Sequence, residues 1–232
     1  MFSLLTSRYD NSRHNSFARC VTLSGQPVSK RIGILGGSFD PVHYGHLLLA
    51  ESAREQCRLD EVWFMPAAVP PHKQSKKMTS AKARLEMLSL AIAGNDAFVV
   101  SSIEIDRGGV SYSVETLGEV KSQQPDAELF FLMGGETLND LPNWREPGRV
   151  CELAIPTVVH RAGSPEPNFD LLREFVSNER LDEIRELELE MPLITISGTD
   201  IRERIVNSRS IRYLTPRAVE KYIQTNSLYR SA

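Results

Sequence analysis

RIGILGGSFDPVHYGH, residues 31–46, opens as a compact apolar run, reaches two glycines, turns at Pro41 and resumes with two histidines three positions apart. HLLLAESAREQCRL follows, with Leu47, Ala50, Arg54 and Cys57 about one helical turn apart. The pair reads as a strand feeding directly into a helix. Gly36 and Gly37 allow backbone angles and a close ligand approach that a Cβ would obstruct. His43 and His46 share one face of a helix start, at the amide-rich end where anions bind, and an imidazole N–H can donate to a phosphoryl oxygen. Gly45 between them leaves room for a flat base or ribose. An isolated H-x-x-H pair is ordinarily two surface histidines; behind a glycine-terminated strand, a phosphate explains it better.

Outward from this junction the same alternation continues. EVWFMP (61–66, closed by Pro66), AFVVSSIEI (97–105), ELFFLMGG (128–135), IPTVVHR (155–161) and PLITIS (192–197) read as strands. TSAKARLEMLSLAIAG (79–94), YSVETLGEVKSQQ (112–124) and NFDLLREFVSN (168–178) read as helices. The first of these helices is capped by Thr79 or Ser80 and stopped at Gly94. LTPRAVEKYIQTN (214–226) closes the chain as a helix with Thr215 as N-cap and Pro216 at its first position. LDEIRELELE (181–190) suits either a helix or an edge strand. Continuous apolar runs such as FFLM and TVVH belong to strands buried on both sides. The expected fold class is therefore α/β: a Rossmann-like, doubly wound, mostly parallel sheet with helices on both faces. Ligands in such sheets sit at the carboxyl ends of the strands, near the switch in strand order.

At 232 residues and 26.1 kDa, with 41% hydrophobic residues, the chain can bury one sizeable core. A formal net charge of −3 offers no general attraction to nucleic acid or an anionic membrane, and no apolar run approaches a membrane span. Cys20, Cys57 and Cys151 are far apart and odd in number, which suits a reduced, cytoplasmic protein. Residues 1–30 are rich in Ser and Arg and lack periodicity. They read as a disordered extension or a start codon placed too early, although the composition also suits an organelle transit peptide. Residues 31–232 are expected to form a single domain. The sequence leaves oligomeric state open, a homo-oligomer included.

No G-x-G-x-x-G and no G-x-x-x-x-G-K-[ST] occurs, so neither an ordinary dehydrogenase nor a P-loop enzyme fits. A second phosphate signal lies at ISGTDIRERI, where Ser197 and Asp200 resemble a capping box. Arg202 sits in the first helical turn, where a helix dipole disfavours a cation unless an anion joins it. An exposed arginine there is also nearly free energetically. Lys73 follows His72 in the basic loop PPHKQSKK (70–77), and most such loops are simply solvated. Trp144 in LPNWREP serves either packing or stacking on a flat ring. Arg161 ends the strand TVVHR.

Taken together, these segments resemble the (H/T)-x-G-H nucleotidyltransferase superfamily and, within it, the bacterial nicotinate-nucleotide adenylyltransferases. GGSFDPVHYGHL is similar to the opening motif of the group. PPHK, SYSVETL, FFLMGGETLNDLPNW, VVHR, ISGTDIR and IRYLTPRAVEKYI follow in its order, so that the resemblance spans about residues 31–229. It implies transfer of the adenylyl group of ATP to nicotinate mononucleotide, giving deamido-NAD and pyrophosphate, with Mg²⁺ carried in by ATP and no dedicated metal site. It further implies that Gly36, Gly37, Ser38, Phe39, His43, His46, Ser197, Gly198, Thr199 and Arg202 line the ATP site. His43, His46 and Arg202 would carry catalysis. Lys73, Ser113, Glu136, Trp144, Arg145 and Arg161 would hold the mononucleotide. Two departures stand out: the group usually has Gly-x-Asp at Gly134-Gly135-Glu136, and Ser-Ser-Thr at Ser197-Gly198-Thr199. Rival readings are a related transferase with another phosphorylated acceptor, such as nicotinamide mononucleotide or phosphopantetheine, and a non-catalytic nucleotide-binding regulator.

Overall fold

A computed structural model describes residues 29–71, 78–161, 166–192 and 194–230, with backbone alone at 160 and 161. The expected N-terminal extension therefore falls outside the described residues as far as position 28, as does the basic loop 72–77 with Lys73.

Six strands form one sheet: β1 (Arg31–Gly37), β2 (Glu61–Pro66), β3 (Phe98–Val100), β4 (Glu128–Gly134), β5 (Ile155–Arg161) and β6 (Leu189–Met191), in the order β3-β2-β1-β4-β5-β6. Every neighbouring pair is parallel. Strand order reverses between β1 and β4, the switch point beside which ligands bind in sheets of this kind. The α/β reading is borne out, with no antiparallel strand in this sheet. Residues 129–133, LFFLM, are all buried, as a central strand covered on both faces requires.

The helices are α1 (Tyr44–Gln56), α2 (Ala81–Ile92), α3 (Ile103–Arg107), α4 (Ser113–Gln123), α5 (Gly135–Asp140), α6 (Pro147–Leu153), α7 (Asn178–Glu186), α8 (Gly198–Val206) and α9 (Arg217–Thr225). None among the described residues is long and apolar enough to cross a membrane. The ambiguous segment 181–190 resolves both ways, as the end of α7 and then β6.

Four local readings change. AFVVSSIEI is a strand only over Phe98–Val100; Ser102 then bonds Asp106 through its side chain and the chain enters α3. The described part of PLITIS, Pro192 and 194–197, is not strand, because Pro192 cannot donate to a ladder and the sheet has ended at β6. NFDLLREFVSN forms a 3₁₀ turn over Phe169–Leu172, started by the Asn168 side chain accepting from the Asp170 amide, and no α-helix. Thr215 does not cap α9; the N-cap is Pro216, and the Thr215 hydroxyl donates instead to the Val42 carbonyl at 2.8 Å.

Candidate active site

The loop from β1 into α1 lies at the carboxyl edge of the sheet beside the reversal in strand order. Gly36 and Gly37 do not carry the unusual backbone expected of them, since neither has a positive φ. The left-handed residue is Phe39 (φ 47°), and Gly37 is needed because a Cβ there would meet the Phe39 ring at 3.1 Å. That ring is fully buried, tilted against Phe64 at 5.8 Å and edge-on to His46 at 4.9 Å.

Arg84, a buried guanidinium on α2, fastens this loop from below. It donates to the backbone carbonyls of Ser38 (3.0 Å), Ala67 (2.8 Å) and Thr79 (3.1 Å), joining the ends of β1 and β2 to the start of α2. Burial pulls its pKa below the ordinary range, with the field of the Asp40 carboxylate pulling the other way. Asp40, itself buried, accepts from the Thr79 amide (3.2 Å) and from the Tyr229 hydroxyl (2.6 Å).

His43 is the N-cap of α1 and His46 stands in its first turn. The two rings stack with centroids 3.7 Å apart and planes 22° from parallel. The His43 amide donates to Nδ1 of His46 at 3.3 Å, which puts the proton of a neutral His46 ring on Nε2. Gly45 does leave space, but the His43 ring fills it here: a Cβ at Gly45 would lie 3.1 Å from His43 Nδ1.

Ser197 caps α8 through its side chain, which accepts from the Asp200 amide at 3.0 Å. Arg202, one position beyond the first turn, folds back toward the helix start. One guanidinium nitrogen donates to the Asp40 carbonyl at 2.6 Å and another to Thr199 Oγ1 at 3.1 Å. The space beside Gly198 is taken by the same contact, since a Cβ there would meet the Asp40 carbonyl at 3.1 Å and Arg202 Nη1 at 3.3 Å. The N-termini of two long-separated helices thus abut, and a helix start is where anions bind.

On the other side of the strand-order reversal, Glu136 lies in the first turn of α5, directly after β4. Trp144 is half-buried, edge-on to Phe131 at 5.9 Å, its indole N–H donating to Asp140. Arg145 lies over the Tyr112 ring at 4.9 Å and pairs with Glu115 at 2.7 Å; Ser113 begins α4 beside them. Ser38, Phe39, His43, His46, Gly198, Thr199 and Arg202 therefore surround one loop, whereas Ser113, Trp144 and Arg145 form a second group. The side chain of Arg161 is outside the described residues. Among the described residues, no group of three or more His, Cys, Asp or Glu side chains is arranged to hold a metal ion.

Sequence reading passed over Arg84, Asp40, Tyr112 and Tyr229. Arg84 carried a usable signal, a charge in phase with the core residues Ala83, Met87 and Leu88 of its helix. Tyr229 carried none, as its partner lies 189 positions away.

Comparison with known proteins adds an independent line. Residues 34–204 match the family model described as cytidylyltransferase-like. A relative from Thermomicrobium roseum, named "Probable nicotinate-nucleotide adenylyltransferase", is 43% identical over 201 residues, covering 87% of this chain and 92% of its own. One of the same name from Rhodopirellula baltica is 40% identical, covering 86% of this chain and 93% of its own. Among solved structures, Plasmodium falciparum nicotinic acid mononucleotide adenylyltransferase complexed with NaAD superposes with a TM-score of 0.66 at 18% identity, covering 86% of this chain and 97% of that one. At that identity the likeness speaks for the fold alone.

Proposed function

The chain belongs to the cytidylyltransferase-like family, among its nicotinate-nucleotide adenylyltransferases, and from that premise we propose how its residues divide the work. The reaction joins ATP and nicotinate mononucleotide to give deamido-NAD and pyrophosphate. The mononucleotide phosphate is already an anion, so its oxygen attacks the α-phosphorus of ATP in line, without a general base and without a covalent protein intermediate. The bond to the β-phosphate oxygen breaks as the new P–O bond forms, and pyrophosphate leaves. What the protein supplies is alignment and neutralisation of charge on the equatorial oxygens and the departing group.

The observation that best supports this reading is the meeting of the α1 and α8 N-termini, held by Arg202 on the Asp40 carbonyl at 2.6 Å. We assign the α-phosphoryl oxygens to His46 Nε2–H and to His43. The β- and γ-phosphates go to Arg202 and to the amides of Gly198 and Thr199, with Ser197 setting the helix end. Gly36, Gly37, Ser38 and Phe39 shape the floor. On the other side Trp144 stacks on the pyridine ring, and amides near Ser113 and Arg145 donate to its carboxylate. Glu136 faces a ribose, and Lys73 and Arg161 hold mononucleotide phosphate. Mg²⁺ carried by the triphosphate would supply counter-charge to its oxygens. The single nucleotidyltransferase domain over 31–232 and a cytoplasmic location belong to the same proposal.

The test is pyrophosphate release from the full chain with ATP and each of nicotinate mononucleotide, nicotinamide mononucleotide, phosphopantetheine and glycerol phosphate. Turnover led by nicotinate mononucleotide is expected; turnover led by another acceptor, or none with any, overturns the reading. His46→Ala should lower kcat by about 10²–10³, the usual cost of one preorganised donor. Unchanged turnover would remove His46 from its role.

A further inference from the structure

The family match ends at residue 204, yet the chain beyond it grips the catalytic loop. The Thr215 hydroxyl donates to the Val42 carbonyl (2.8 Å), the Tyr44 amide to the Leu214 carbonyl (3.1 Å), and the Tyr229 hydroxyl to Asp40 Oδ1 (2.6 Å). The first two bonds bracket His43 in sequence. The third holds the residue whose own carbonyl seats Arg202. Tyr229 itself (φ 62°) and Phe39 (φ 47°), which neighbours Asp40, both lie in the left-handed region. Left-handed turns in residues other than glycine persist only where surrounding contacts over-determine them. Burial and the Asp40 charge both push the Tyr229 phenol well up, so it remains a donor throughout the working pH range.

We propose that Tyr229 is a positioning residue for catalysis: its hydroxyl, through Asp40, sets the loop that presents the two histidines and seats Arg202, so the last turn of the chain belongs to the active site. The Tyr229 hydroxyl is engaged by Asp40. Its effect is geometric, because Asp40 bears Tyr229 on its side chain and Arg202 on its backbone, and a shift of one moves the other. This rests on the adenylyltransferase reading above.

Tyr229→Phe removes the hydroxyl and keeps the ring. A displacement near 1 Å at a reacting centre costs up to about 10²-fold, and we expect kcat to fall about 10- to 100-fold with the KM values for both substrates changed less than about threefold. Hydrogen exchange of the 38–46 amides should quicken by about tenfold. The control is Tyr222→Phe, which removes another hydroxyl bond, to Glu86, from the same C-terminal segment but away from the loop. It should lower the melting temperature comparably and leave kcat in place. Thr215→Val loosens the loop from its other side and should act in the same direction, which keeps the test open if Tyr229→Phe fails to fold. Unaltered exchange at 38–46, unaltered kcat, or an equal loss of kcat in Tyr222→Phe overturns the proposal. Faster exchange in a protein whose wild type releases no pyrophosphate would leave the latch standing and remove the adenylyltransferase reading instead.

Discussion

Replacing Arg84 by Met measures how much of the catalytic edge hangs on one buried cation. Methionine is similar in length, unbranched and apolar, so it refills most of the volume while removing every donor. Three hydrogen bonds of 2.8–3.1 Å to the carbonyls of Ser38, Ala67 and Thr79 disappear, and those carbonyls lose a partner inside the protein. Hydrogen bonds to a charged group are worth about 1.5–3 kcal/mol each, but three from one guanidinium are not independent. Each carbonyl left without its partner costs about 1–3 kcal/mol, and with partial relaxation the expected total is about 3–5 kcal/mol. For a chain of this size it lowers the melting temperature by roughly 6–20 °C, at about 2–4 °C per kcal/mol. Urea unfolding followed by far-UV circular dichroism should show a lower midpoint with an unchanged slope, and Arg84→Lys should fall between, with fewer donors on a flexible stem. A destabilisation of Arg84→Met below about 1 kcal/mol would show that these bonds do not hold the β1, β2 and α2 ends together.

Gly45→Ala separates stability from activity. Alanine in a helix is favoured over glycine by about 1 kcal/mol, yet its Cβ would lie 3.1 Å from the Nδ1 of His43. The melting temperature should hold or rise while kcat falls about tenfold as the His43 ring is displaced from its stack; a variant as active as wild type refutes the placement of that ring. The buried thiols give a pH-based check. Burial pushes Cys57 and Cys151 up to about 11, so at pH 8 only about one part in 10³ is thiolate. Iodoacetamide should leave both unmodified in the native chain and label both once urea is present, as read by peptide mass mapping. Rapid native labelling of either would contradict its burial.

The α/β fold was legible because hydrophobic periodicity is a local property. RIGILGG, ELFFLMGG and IPTVVHR show as strands, and the helices between them show by their spacing, without knowledge of any partner. Where local signals competed, the sequence was less decisive. Asn168 and Ser102 bond their own backbone neighbourhoods and turn apparent helix or strand into something shorter.

By itself the sequence determined the strand–helix junction, the paired histidines and a second helix start at Ser197, along with the family to which they point. Only the tertiary structure decided that the Gly45 space holds the His43 ring, that Arg202 leans on Asp40, and that Arg84 and Tyr229 hold that loop from two sides. The reason is that a tertiary hydrogen bond has no sequence period: its partners, 162 positions apart for Arg202 and Asp40, are chosen by a fold that brings the start of α8 against the loop leaving β1.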